Sequence, residues 1–263
     1  MENKETVIRL ENVSKTFVFR DKKVASFFTQ LGWVFTGKNI RRIEALKNIN
    51  LEVKKGEFLG IVGENGSGKS TLIHLMTGFY KPEKGGKAEI SGNFIRLSLG
   101  LGFNQELTAR ENIYLNGSVM GLTLREINEK FDEMIAFAEL EEYVDTKIKF
   151  YSRGMKARLS FAVAIHANAE ILLMDEFFGG VGDEKFKVKS DKVFKESVLK
   201  GRTIVHVSHN LSTIRHYATR VILMHKGELV GMGTPDEVFE MYKNKIRVDK
   251  LNLRDYVDDD QSF

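Results

Sequence analysis

The chain has 263 residues, of which 42% are hydrophobic and 29% charged, the balance of a globular protein of one large domain or two small ones. It has no cysteine, which excludes disulfides and thiolate metal sites, and no apolar run near the roughly 20 residues of a membrane span. MENKETVIRL is too polar for a signal peptide, so a soluble cytoplasmic protein is expected. The net charge of +4 is scattered apart from Lys38, Arg41 and Arg42. It reads as a solvated surface or as a footprint for a polyanion.

In chain order, VIRLENVSKTFVF (7–19) alternates like an edge strand. Residues 20–43 break that pattern. Val24, Phe27, Phe28, Leu31, Val34 and Phe35 recur there at helical spacing, with Trp33 beside them. Such a stripe suits a core-facing helix or one lying at a membrane interface. A second strand is expected over Ala45–Val53. FLGIV (58–62) is a short apolar run of the buried parallel type, followed by a glycine-rich loop and a helix over Ser70–Thr77. Residues 106–167 read as a helical lobe. ILLM (171–174) and TIVHV (203–207) are further buried strands with helical segments between them. Thr234-Pro235-Asp236-Glu237 starts a helix, with Thr as N-cap, Pro at N1 and Glu at N3. The tail, 246–263, is polar. Strands alternating with helices predict an α/β core.

GENGSGKS, Gly63, Glu64, Asn65, Gly66, Ser67, Gly68, Lys69 and Ser70, matches G-x-x-x-x-G-K-[ST] between a buried strand and a helix. Its glycines let backbone amides and the helix N-terminus wrap a phosphate chain. Lys69 is expected on the β- and γ-phosphates, Ser70 on Mg²⁺ and Thr71 near the α-phosphate. A P-loop needs an acid for its metal. ILLMDE ends in Asp175 and Glu176 at the strand edge where α/β sheets bind ligands, so Asp175 is assigned to Mg²⁺ and Glu176 to general base. His209, in VHVSHN, ends another buried strand and is placed at the γ-phosphate.

These pieces, in this order over about residues 7–245, resemble the nucleotide-binding subunit of an ABC transporter. The resemblance implies a P-loop NTPase core with a β-rich N-terminal subdomain and an inserted α-helical subdomain over about 106–167. GENGSGKS resembles Walker A, ILLMDE Walker B and VSHN the switch histidine. Val181-Gly182-Asp183 falls at the D-loop and Phe17 where an aromatic ring stacks on adenine, although Phe17 also suits strand packing. YSRGM resembles the family's LSGGQ signature, with Ser152 and Gly154 kept and Tyr151, Arg153 and Met155 changed. The resemblance implies that ATP is sandwiched between Walker A of one subunit and Ser152, Arg153, Gly154 and Met155 of its partner, in a head-to-tail homodimer. Gln105 is the candidate metal-touching glutamine. It lies only just before Thr108, closer than the family's usual spacing.

YSRGMKARLSF, VGDEKF and LGLGFNQELTARENIYLNG resemble the branch that exports O-antigen, capsule and teichoic acid. That branch carries extra residues between its first strands, as 20–43 do here. It implies a permease in two copies, a lipid-linked polysaccharide substrate, a peripheral place on the cytoplasmic face of the bacterial inner membrane, and no nucleic acid. The stretch 98–112 is expected to line the groove for the permease. The chain ends before the added glycan-binding domain of many O-antigen exporters, so membership of this branch implies substrate selection through the permease or by other coupling. A motor for drug or lipid export is the alternative, ahead of a soluble ABC ATPase. The 20–43 segment, with Lys38, Arg41 and Arg42, either meets an anionic lipid-linked head group or packs as a flap on its own domain.

Overall fold

A computed structural model describes residues 4–20, 40–98, 102–166, 168–175, 184–198, 201–208 and 210–245. Two sheets organise it. The first is antiparallel with strand order β2-β1-β4, where β1 is Thr6–Arg20, β2 Ile40–Lys54 and β4 Lys87–Ile90. The second has order β5-β6-β7-β3-β8-β9, with β3 Phe58–Val62, β5 Phe94–Ser98, β6 Ile171–Asp175, β7 Thr203–Val207, β8 Arg220–His225 and β9 Glu228–Gly233. All neighbours in it are parallel except β8 and β9.

The strand β1 is central in its sheet, not an edge as its alternation suggested. An antiparallel strand with one wet face alternates whether or not it has a neighbour on both sides, so the pattern carries no information about its place. Val7, Ile8, Leu10 and Val13 fill the dry side and share a core with Leu51 and Val53 of β2, Leu59 and Ile61 of β3, and the helix that follows β3. Both strands also run further than expected. Phe17 pairs with Ile43, Phe19 with Arg41 and Arg20 with Ile40, so part of the proposed 20–43 insertion is ribbon. Arg41 and Arg42 are exposed on β2. Lys38, Trp33 and the apolar stripe from Val24 to Phe35 lie outside the described residues.

The buried parallel strands follow their sequence signal. FLGIV and TIVHV are buried at all five positions. Each such apolar side chain contributes about 1.5–3 kcal/mol relative to exposure. The helix α1, Lys69–Met76, leaves β3 through the glycine loop. Between β5 and β6 stand α2 (Ala109–Val119), α3 (Leu124–Ala138) and α4 (Arg153–Ala164). Both α2 and α3 open with capping boxes, Thr108 with Glu111 and Thr123 with Glu126. Ile127, Phe131, Met134, Ile135 and Ala138 form one buried stripe on α3 and close a separate core with α2 and α4. Beyond β6 come α5 (Glu184–Val193), α6 (Leu211–Tyr217) and a helix α7 over 235–245. The Thr234 amide bonds the Glu237 carboxylate at 2.8 Å, one arm of the expected capping box. Among the described residues no helix is long and apolar enough to cross a membrane.

Candidate functional site

The loop between β3 and α1 is shaped by two glycines. Gly63 has φ 151°, and a Cβ there would lie 2.2 Å from the Met224 carbonyl oxygen. Gly68 has φ 105°, and its Cβ would lie 2.5 Å from the Ala45 carbonyl oxygen. Only glycine fits where the loop presses against β8 and β2. The result is a helix start with no side-chain cap and no acid in its first turn. Such a helix start, with its amides and positive dipole end, suits an anion. Lys69 is 6% exposed and folds back, with Nζ 2.7 Å from the Gly63 carbonyl and 2.8 Å from that of Glu64. It therefore sits inside the ring that phosphates would fill. Ser70 is exposed and Thr71 half-buried at the rim. They line a cleft of about 220 Å³ with Asn65, Gly66, Ile43 and Ala45. Ser67 turns inward, and its hydroxyl is buried without a partner among the described residues.

Three strand ends converge beside this loop. Ile61 of β3 pairs with Val207 of β7, and Val207 pairs with Asp175 of β6. Asp175 thus emerges at the same edge as Gly63, and its side chain is 14% exposed. The oxygen donors Ser70 and Asp175 suit a hard cation such as Mg²⁺, which takes few protein ligands and completes its shell with phosphate and water. Glu176, Asp183 and His209 lie outside the described residues. His206, one turn of the pleat behind that edge, is fully buried, and burial pushes its imidazole down to about 4. It is neutral at physiological pH.

Sequence reasoning missed the group that holds Asp175. Arg96, in the middle of β5, places Nη2 3.3 Å from Asp175 Oδ2. Its Nη1 meets His74 Nε2 on α1. Burial first, and then the Arg96 charge, lower the pKa of His74. The available signal was an arginine inside the apolar strand FIRLS, since a charge in a strand core needs a partner.

Phe17 is half-buried and packs edge-on to Tyr80, with ring centroids 5.2 Å apart. Lys15 Nζ lies 5.9 Å from the Phe17 ring and 5.6 Å from that of Tyr80. The cross-strand partner of Phe17, Ile43, lines the P-loop cleft, so Phe17 stands next to it.

The variant pentapeptide is a helix start. Ser152 is the N-cap of α4, and its hydroxyl accepts from the Met155 amide at 3.1 Å. Tyr151 is 5% exposed in the helical-lobe core, and its hydroxyl donates to the Tyr143 carbonyl at 2.6 Å. Burial raises that phenol to about 12. Tyr151 is therefore an anchor, while Ser152 and Arg153 are exposed. A Cβ at Gly154 would meet only Ser152 Oγ, at 3.8 Å. Among the described residues, nothing around Gly154 requires a glycine.

Gln105 is exposed in the turn after β5, and its carbonyl accepts from the Lys149 amide at 3.0 Å. Its described contact ties it to the helical lobe, not to Ser70 or Asp175. The turn itself is held by a second residue the sequence did not mark. Asn112 is fully buried; its Oδ1 accepts from the Asn104 amide at 2.8 Å, and its Nδ2 donates to the Asn104 and Thr108 carbonyls.

The family model described as ABC transporter matches residues 46–179. The O-antigen export system ATP-binding protein RfbB of Myxococcus xanthus is 40% identical over 249 residues, 91% of this chain and 56% of that protein. The teichoic acids export ATP-binding protein TagH of Lactococcus lactis is 36% identical over 247 residues, 94% of this chain and 53% of that protein. The chain thus spans about half the length of these curated relatives. An ATP-binding cassette solved as a dimer in a post-hydrolysis state with ADP and Pi matches at TM-score 0.67 and 26% identity, covering 87% of this chain and 98% of that one. Phosphate loop, converging strand ends, helical lobe and these matches agree: the chain belongs to the ABC transporter family, as an ATP-binding cassette of the P-loop fold.

Proposed function

We propose that the chain is the ATP-hydrolysing motor of an exporter that moves a lipid-linked polysaccharide of the O-antigen, capsule or teichoic-acid type. The observation that carries the nucleotide part is the uncapped start of α1 with Lys69 folded into it, beside the strand edge where Asp175 emerges with only β7 between. The glycan class rests on the relatives, which are O-antigen and teichoic-acid export proteins. The amides of residues 63–71 and Lys69 bind the phosphates, and Phe17 borders the adenine. Ser70 and Asp175 would hold Mg²⁺, with Gln105 as a further candidate ligand, and the ion would supply positive charge against the phosphates. Glu176 takes a proton from the attacking water, and His209 orients the γ-phosphate.

A second copy completes each site through Ser152, Arg153, Gly154 and Met155, with Asp183 between the copies. The exposed start of α4 supports this arrangement: its glycine has no steric reason within its own chain, and a partner's phosphates approaching there would give one. ATP closes such a dimer because those contacts form only in the closed state. Two permease subunits, contacted through the stretch 98–112, would hold the cassettes at the cytoplasmic face of the inner membrane. Glu176→Gln tests the reading: it should trap an ATP-bound dimer, seen by size-exclusion chromatography, with hydrolysis nearly abolished. Turnover at the wild-type rate would remove Glu176 as the base.

A further inference from the structure

The residues proposed for Mg²⁺ come from two elements, Ser70 from α1 and Asp175 from the end of β6. One side chain spans the gap between them. Arg96 Nη2 holds Asp175 Oδ2 at 3.3 Å, and Nη1 engages His74 Nε2. His74 lies on α1, the helix that carries Ser70. The Arg96 side chain is 27% exposed and that of Asp175 14%, so the pair is shielded from competing water. The contact uses one carboxylate oxygen and leaves Oδ1 for another partner. Partners of this kind fix the orientation of metal-binding groups.

We infer that Arg96 is a positioning residue for the metal: through His74 and Asp175 it ties the P-loop helix to β6 and sets the spacing and orientation at which Ser70 and Asp175 meet Mg²⁺. This rests on the metal site proposed above. In this role Arg96 acts through His74 and Asp175. Its charge also opposes a nearby cation, but a guanidinium bound through Oδ2 lies on the far side of the carboxylate from Oδ1, where its repulsion is weaker.

The test is binding of a fluorescent ATP analogue to the full chain, with Mg²⁺ titrated from EDTA to saturation, in Arg96→Met, Arg96→Lys, His74→Phe and Asp175→Asn. Arg96→Met should raise the Mg²⁺ concentration for half-maximal tight binding by about 10–100-fold, and leave binding in EDTA within about twofold. Arg96→Lys should recover part of the loss. His74→Phe should weaken Mg²⁺ dependence in the wild-type background and add nothing to Arg96→Met, as expected of residues acting as one unit. An unchanged or lowered Mg²⁺ requirement in Arg96→Met overturns the inference, as does an equal loss with and without Mg²⁺. If Arg96→Met does not fold, His74→Phe and Arg96→Lys decide alone: an unaltered Mg²⁺ requirement in both overturns it. Asp175→Asn separates the two levels. If it too leaves Mg²⁺ dependence intact, the metal site itself is wrong; if it abolishes that dependence while Arg96→Met does not, only the role of Arg96 fails.

Discussion

Gly154→Ala should move stability and dimerisation in opposite directions. Gly154 lies two residues past the Ser152 cap, inside the first turn of α4. An added Cβ meets only Ser152 Oγ at 3.8 Å, an ordinary van der Waals distance, so it costs nothing within the chain. Alanine loses less backbone entropy than glycine in a helix, a gain of up to about 0.5–1 kcal/mol. For a chain of this size that raises Tm by about 1–3 °C. In the closed dimer the same methyl would intrude where a partner's phosphates approach the helix start. Overpacking of that kind costs about 1–3 kcal/mol, or about 5–150-fold in the ATP-driven dimerisation constant. The assay is paired: differential scanning fluorimetry of the nucleotide-free chain, and analytical ultracentrifugation with ATP in a Glu176→Gln background. A fall in Tm would show that the fold itself needs this glycine. An unchanged dimerisation constant would refute the close approach in trans.

Asn112→Ala should destabilise the helical lobe by about 1–3 kcal/mol, because it removes the three hydrogen bonds that this buried side chain makes to the Asn104 and Thr108 backbone; urea unfolding measures it, and faster hydrogen exchange over 102–108 should accompany it. His206 supplies a pH dependence. Its folded value, about 4, lies below its ordinary 6.5, so the unfolded chain binds a proton that the native chain refuses. The neutral ring's contribution is whole above about pH 6.5 and is lost as pH falls toward 4, by up to about 3 kcal/mol. Chemical denaturation at pH 7.5 and 4.5 should show this acid loss shrinking in His206→Phe, and an identical loss in that variant would contradict it.

The short-range features were legible in the residues. GENGSGKS and the capping pair Thr234 and Glu237 depend on backbone geometry set within a few positions, so composition and spacing expose them. The buried strands FLGIV and TIVHV announced themselves because both faces are covered. The family resemblance followed from the order of those pieces. It could not say why YSRGM departs from the usual letters, since Tyr151 is explained only by the lobe core that its ring enters and by the Tyr143 carbonyl beneath it.

What tertiary structure alone decided is long-range. Alternation marks β1 as half-dry, but only the arrival of β4 after α1 makes it central. Arg96 and Asp175 are 79 positions apart and meet because β5 and β6 pair in parallel register. An arginine in an apolar strand signals that a partner exists, while the identity of that partner is a property of the sheet. The same holds for Gly154: the sequence shows a glycine at a helix start, and only the empty space around its missing Cβ shows that its own chain does not demand it. Local hydrogen-bonding chemistry is written in neighbouring residues, whereas pairing across a sheet is chosen by how the whole apolar surface is buried at once.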